Sequence, residues 1–253
     1  MQKKNSLRST ASNADVVQKS DHSASTPASS VAYYPVFLNL ENKQAVVIGG
    51  GKVAERKILS LLKAKADITV ISPDITARIA REKQKGTIKH MNRRYRNGDI
   101  TSAFLVIAAT DSPRLNKQVS DKASCLVNAV DMPFLCNFIV PSVMQRGLLT
   151  IAISTSGVSP ALSRSIRKEI ENSYGTEFSE YLKALQGIRA EAMNVIADQK
   201  QRGALLKSLA SAGMIRILRE KGAKETRKKA KALLKEAKNV SCRYIERMDK
   251  KTD

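Results

Sequence analysis

The sequence predicts an α/β protein: a parallel-sheet domain, then a small α/β module, then a helical C-terminal domain. Three observations carry that prediction. A β-branched run, Val46-Val47-Ile48, meets Gly49-Gly50-Gly51 and then residues with helical spacing from Val53 to Leu59. Segments of strand and helix character alternate from residue 44 to residue 130, the pattern of parallel strands joined by right-handed crossovers. After Asp131 the pattern changes, first to extended runs about a turn and then to helices.

Taken in order, residues 1–30 are rich in Ser, Thr, Ala and Asn without apolar periodicity, and a disordered tail is expected there. They contain no apolar h-region, which excludes a secretory signal, and Asp15 and Asp21 weaken a transit-peptide reading. Tyr33 to Leu38 reads as a short strand or arm. Strand 44–48, helix 52–64, strand 68–71, helix 74–85, a short strand near Ile88, strand 104–109, helix 113–123 and strand 126–130 follow. Phe104 to Ala109 is apolar on both faces, as a central parallel strand requires. The runs 137–140 and 148–153 flank Gln145-Arg146-Gly147 and read as an antiparallel pair. Ser159 and Pro160 form an N-cap and first-turn pair that opens a helix over 160–173. Helices are expected near 176–199, 202–220 and 223–247, with Gly203, Gly213 and Gly222 as interruptions.

The glycine turn has the residue types of a Rossmann dinucleotide site in the required order. Gly49 lets the chain leave the strand at angles closed to a Cβ, and Gly51 lets the main chain approach a diphosphate. Ala54, in the third position of G-x-G-x-x-G/A, lets the helix pack closely on the strand. The diphosphate would rest on free N–H groups at the helix N-terminus, which makes Gly49, Gly50, Gly51, Lys52, Val53 and Ala54 candidate cofactor residues. The bland alternative is a structural αβ turn. Where an Asp or Glu commonly ends the second strand and holds the ribose hydroxyls of NAD, the chain has Ser72-Pro73-Asp74. Ser72 offers one hydrogen bond and Asp74 is within reach, which leaves NAD against NADP open. Thr110 and Asp111 end another strand at the carboxyl edge of the sheet, where Asp111 either shapes the pocket or caps the next helix.

Composition narrows the partners. A chain of 253 residues with 42% hydrophobic content can build a real core, and no apolar run approaches the roughly 20 residues of a membrane span. Three scattered cysteines suit a reduced, cytoplasmic protein and form no C-x-x-C metal site. The charge of +21 and pI near 10.1 ask for an anionic partner: nucleic acid, a membrane surface, or a small substrate rich in carboxylates or phosphates. Aromatic content of 4% without tryptophan argues mildly against a base-stacking surface. Residues 214–253 hold 14 Lys or Arg against 6 Asp or Glu, a pattern open to a solvated helix face, an anion-binding wall or a nucleic-acid contact.

Four blocks in order carry a more specific signal: PVFLNLENKQAVVIGGGKVAERK from Pro35, AATDSPRLNKQVS from Ala108, VNAVDMPFLCNFIVPS from Val127 and IAISTSGVSPALSRSIRKEIE from Ile151. From about Tyr34 to Ser173 they resemble the precorrin-2 dehydrogenases, a family that includes sirohydrochlorin ferrochelatases and the N-terminal part of sirohaem synthase. The tail and the last fifty or so residues fall outside the resemblance, and no methyltransferase half follows.

The resemblance implies NAD-dependent oxidation of precorrin-2 to sirohydrochlorin, and in some members Fe²⁺ insertion. It also implies a homodimer, with a tail over 1–30, a Rossmann domain over 31–140, a strand-exchanging dimerisation domain over 141–173 and a basic helical domain over 174–253. The active cleft is then expected between the Rossmann domain and the partner subunit. Asp131, which ends strand VNAVD, aligns with the family's catalytic aspartate and is placed to accept a proton or orient the ring. Its competing role is a turn Asp before Pro133 that caps its own backbone. Asn128 and Asn137 either hydrogen-bond the substrate or satisfy loop backbone. Ser154, Thr155 and Ser156 align with a hydroxyl-rich loop near the family's active site, or simply satisfy backbone before a helix. Arg164, with Arg167 and Lys168, is a candidate for the substrate's carboxylates or an exposed helix charge. No metal site is assigned: His22 and His90 lie outside the matching blocks. The alternatives from other classes are a non-catalytic nucleotide-binding module whose basic tail meets nucleic acid or a protein, and a chelatase that binds no NAD.

Overall fold

The structure, a computed structural model, describes residues 32–249, with side chains through residue 240; the expected disordered tail and His22 lie outside the described residues. Strands β1 (Gln44–Ile48), β2 (Asp67–Ile71), β3 (Lys89–Met91), β4 (Leu105–Ala108) and β5 (Leu126–Ala129) form one parallel sheet in the order β3-β2-β1-β4-β5. Helices α1 (Lys52–Lys63), α2 (Ala77–Gln84) and α3 (Pro113–Lys122) make crossovers. The chain winds outward from β1 to β3, then returns to the other side of β1 to lay down β4 and β5. The connections at the carboxyl ends of β1 and β4 therefore part in opposite directions and open a crevice between them.

The period-two alternation of β1 builds a core on each face of the sheet. Ala45 and Val47 pack with Ala54, Ile58, Ile68 and Ile79 on one side, while Val46 and Ile48 pack with Val106, Val119 and Val127 on the other. A strand buried on both faces holds its end rigidly, and that end carries the glycine turn.

The second module differs from the sequence expectation. The antiparallel pair is β6 (Ser142–Arg146) with β7 (Leu149–Ile153), closed by a two-residue turn at Gly147-Leu148 with Gly147 at φ 58°. Residues 137–140 form no strand, because side chains rather than a ladder satisfy their surroundings. Asn137 Oδ1 accepts from the Val127 N–H at 2.8 Å, Asn137 Nδ2 donates to the Cys125 carbonyl at 2.8 Å, and Asn128 Nδ2 donates to the Phe138 carbonyl at 3.1 Å. Tyr33 to Leu38 joins no sheet, with Tyr34 and Phe37 exposed. Helix α2 starts at Ala77, capped by Thr76, instead of at 74.

After α4 (Pro160–Ser173), helices α5 (Thr176–Val195), α6 (Gln199–Leu209) and α7 (Ala212–Asp249) pack about Phe178, Tyr181, Ile188, Leu205, Leu209 and Leu234. The breaks fall at 196–198 and 210–211. Gly203 lies inside α6 and Gly213 in the first turn of α7; only Gly222, at φ 76° and ψ 178°, interrupts a helix as expected. On α7, Ala223, Thr226, Ala230 and Leu234 are buried, while Lys224, Lys228, Lys231 and Lys235 are exposed at three- and four-residue spacing on another face.

Tyr181 ties two of these helices. Its buried hydroxyl donates at 2.7 Å to the carbonyl of Leu209, an end-of-helix acceptor with no partner of its own in α6, and burial pushes the phenol up to about 12. Tyr181→Phe should therefore cost about 1 kcal/mol and lower the melting temperature by roughly 2–4 °C, read by calorimetry, without changing the far-UV dichroism.

Candidate cofactor and active site

The crevice is an open cleft of about 920 Å³ whose walls are the ends of four strands. At its floor the three glycines do three different jobs. Gly49 adopts φ +116°, and a Cβ there would lie 2.1 Å from the Ala109 carbonyl oxygen. Its N–H donates to the Ile71 carbonyl at 3.0 Å, so this one residue bridges the ends of β2 and β4. A Cβ on Gly50 would lie 1.9 Å from the Asp74 carbonyl oxygen, because the chain leaving β2 is drawn in by the Thr76 N–H bond to the Gly50 carbonyl at 3.0 Å. Gly51, by contrast, meets nothing within 4 Å: a Cβ there would project into open space.

That open space fits a diphosphate. Gly51 is the N-cap of α1 and supplies no side-chain cap, so the first N–H groups of the helix are available to an anion, and the macrodipole favours one. Lys52 and Val53 line the cleft beside it, and Ala54, fully buried, lets α1 lie against the sheet. Ser72 and Pro73 line the β2 side, with the Ser72 hydroxyl donating to the Asp74 carbonyl at 2.7 Å.

On the β4 side Thr110 and Asp111 line the cleft. Thr110 is clamped by a residue that sequence reasoning missed, the buried Asn116. Its Oδ1 accepts from the Thr110 hydroxyl at 2.8 Å and from its N–H at 3.2 Å, and its Nδ2 donates to the Thr110 carbonyl at 3.0 Å. An Asn inside a helix competes with the helix backbone, and that is the signal that could have singled it out. Helix α3 is capped by Ser112, whose Oγ accepts from the Leu115 N–H, so capping is not the role of Asp111.

Asp131 stands at the end of the cleft, exposed, one residue past the half-buried Val130. Its backbone is left-handed, φ +59°, a region that Asp tolerates better than most residues. Among the described residues its carboxylate takes no hydrogen bond, so it does not cap its own turn. The turn is closed instead by the Met132 N–H bond to the Ala129 carbonyl at 3.3 Å and by the Cys136 thiol, which donates to the same carbonyl at 3.3 Å. Burial pushes the Cys136 thiol up, against a smaller pull from the Ala129 N–H and the Lys57 ammonium, so Cys136 serves as a neutral buttress.

The remaining candidates lie elsewhere. The Asn128 and Asn137 amides hold the β5 segment, as described above. Ser154 Oγ accepts from the Ser156 N–H at 3.0 Å, and Thr155 Oγ1 from the Ser159 N–H at 3.1 Å, with Ser156 left-handed at φ 51°. Arg164 is exposed on α4, and Arg167 pairs with Glu171. None of these lines the cleft. Two residues that do, and that sequence reasoning did not select, are Arg94 and Tyr95 on the loop after β3. Among the described residues no group of three or more His, Cys, Asp or Glu is gathered as a metal site would require. No helix of the described residues is long and apolar enough to cross a membrane.

Fold and cleft together define a dinucleotide-binding protein of the Rossmann type. Residues 36–142 match the family model for NAD(P)-binding domains of this kind, and residues 146–173 match the model of the sirohaem biosynthesis protein central domain. The siroheme synthase of Thioalkalivibrio sulfidiphilus is 36% identical over 204 residues, covering 78% of this chain and 42% of that protein. The siroheme synthase of Methylobacillus flagellatus is 41% identical over 140 residues, covering 54% and 30%. This chain thus spans less than half the length of these curated relatives. A solved structure of SirC, a precorrin-2 dehydrogenase, superposes with a TM-score of 0.69 at 27% identity, covering 79% of this chain and all of that one. The chain thus joins a match to an NAD(P)-binding domain with one to the sirohaem biosynthesis central domain, and it is similar in sequence to siroheme synthases and in structure to a precorrin-2 dehydrogenase.

Gly49→Ala and Gly50→Ala should each lower the melting temperature markedly, since backbone must move by more than an ångström. Gly51→Ala should leave it nearly unchanged yet weaken NAD⁺ binding in a titration about tenfold or more. In the loop after β3, Arg93 and the Arg96 N–H hold the Asp99 carboxyl below the usual carboxylate range, with Arg93 the larger cause. Its folded pKa is depressed, so the stability it adds is present above its unfolded value and is lost as pH falls through the folded one. The melting temperatures of wild type and Asp99→Asn should therefore differ at neutral pH and converge below about pH 4.

Proposed function

We propose that this chain oxidises precorrin-2 to sirohydrochlorin with NAD⁺ as hydride acceptor, in the cytoplasm and as a homodimer. The observation that carries the reading is Asp131: a carboxylate without a hydrogen-bond partner among the described residues, on a left-handed residue at the end of the dinucleotide cleft. In a Rossmann crevice the end of β2 meets the adenosine ribose, so the opposite end, at β4 and β5, receives the reactive ring. Bound NAD⁺ supplies a two-electron acceptor there, and oxidation of the macrocycle also releases a proton. Asp131 is placed to take that proton or to orient the substrate, while Thr110, clamped by Asn116, keeps the adjoining strand end fixed. The division near residues 140 and 173 follows from the same reading.

The homodimer is supported by apolar side chains left open on the hairpin, the loop after it and α4: Val143, Leu148, Val158 and Leu162 are 44%, 59%, 87% and 52% exposed. A partner placed there would bring a second surface toward the chain's substrate face, where Arg164 and the Ser154-Thr155-Ser156 loop lie outside the cofactor cleft. A second reading, a nucleotide-binding module that contacts nucleic acid, is favoured only by the lysine row on α7 and is separated by steeply salt-dependent nanomolar DNA binding.

Asp131→Asn should lower kcat for precorrin-2 oxidation by roughly 10²–10⁴-fold while NAD⁺ still raises the melting temperature. Equal turnover in the variant would remove Asp131 from the chemistry. Leu148→Glu with Leu162→Glu should convert a dimer into a monomer of 27.7 kDa, read by light scattering; a monomeric wild type would overturn the assembly.

A further inference from the structure

The end of β2 lacks the carboxylate that ordinarily selects a free ribose 2′-hydroxyl. Ser72 occupies that place with its proton already donated to the Asp74 carbonyl, and Pro73 has no N–H to offer. The loop after β3 brings a cation to the same part of the cleft. Arg94 lines the cleft, is exposed, and among the described residues has no carboxylate within 4.0 Å.

The loop that presents Arg94 is braced. Arg93 forks onto both oxygens of Asp99 at 2.8 Å and also donates to the Arg94 carbonyl at 3.1 Å. The Arg96 N–H donates to Asp99 from the other side at 2.7 Å. One acid thus holds the residues before and after Arg94 and Tyr95 while leaving the Arg94 guanidinium uncommitted. Tyr95 beside it also lines the cleft and packs against the core that holds Val46 and Ile48. On the rim opposite in sign stands Asp74, exposed, which suits ribose hydroxyls and opposes a phosphate.

We infer that Arg94 is a ligand for a ribose 2′-phosphate, so that this cleft accepts NADP⁺ as well as NAD⁺. The planar guanidinium suits a phosphate through forked, charge-assisted hydrogen bonds, and Asp74 on the same rim keeps NAD⁺ acceptable. The inference rests on the dinucleotide reading of the cleft proposed above. Arg94 is a specificity residue, and Asp99 positions it.

The test is calorimetric titration and thermal shift of wild type, Arg94→Gln, Arg94→Lys, Asp74→Asn and a remote control, Lys183→Gln, with NAD⁺, NADP⁺, adenosine 2′,5′-bisphosphate and adenosine 5′-monophosphate. Wild type should bind both dinucleotides, and the bisphosphate more tightly than the monophosphate. Arg94→Gln should weaken NADP⁺ roughly ten- to hundredfold and NAD⁺ by a much smaller factor, with part of the loss restored in Arg94→Lys. Asp74→Asn should shift preference toward NADP⁺, and Lys183→Gln should not alter it. NAD⁺ binding without NADP⁺ binding, or equal loss of both in Arg94→Gln, would overturn the inference and leave the NAD⁺ reading standing. Failure of wild type to bind either dinucleotide would overturn both.

Discussion

The closeness of three backbone segments at Gly49 and Gly50 is the constraint on which the rest of the structure depends. The carbonyl groups of Ala109 and Asp74 come so near these two residues that no side chain fits. This contact draws the ends of β1, β2 and β4 together and leaves the N-terminus of α1 facing an open crevice. A Rossmann crevice needs β1 and its turn to be immobile, because N–H groups that shift by an ångström lose an anion. The two buried faces of β1 supply that immobility from below, and the absent side chains permit it from above.

Around this floor the segments that bear functional groups are each held by a side chain that need not react. Asn116 holds Thr110, Asp99 holds the loop of Arg94 and Tyr95, and Cys136 with Asn128 and Asn137 holds the connection that carries Asp131. Loops on a rigid sheet gain their precision from such braces. Asp131 shows the result: its left-handed backbone is fixed by neighbours, and among the described residues its carboxylate takes no hydrogen bond.

Local patterns made the sheet legible, and non-local contacts hid the rest. The β1-turn-α1 unit was readable because its period changes from two to 3.6 at the glycines and each strand is buried on both faces. The start of α2 was read too early because residues 72–76 pack against Gly50, a contact no local pattern announces. The run 137–140 has strand composition, yet asparagine amides took the place of a ladder. Gly203 looked like a break, but burial of Leu205 and Leu209 outweighs the roughly 1 kcal/mol that a helical glycine costs. In the site, the glycines and Asp131 were legible as strand-end residues and do line the cleft, whereas Arg94, Tyr95 and Asn116 gained meaning only once β3 and α3 were placed beside it. The amides of Asn128 and Asn137 were open to either role from sequence, and their partners are backbone groups.

Among the described residues the Asp131 carboxylate at one end of the dinucleotide cleft takes no hydrogen bond, and the function we propose has electrons leave a reduced tetrapyrrole for a nicotinamide at this site. The measurement that tests it most directly is anaerobic incubation of the purified chain with precorrin-2 and NAD⁺, following sirohydrochlorin and NADH together by absorbance. Equal amounts of the two products, formed at the same rate and only with the protein present, are expected. Sirohydrochlorin formed without NADH, or no conversion at all by a protein that NAD⁺ measurably stabilises, would contradict it.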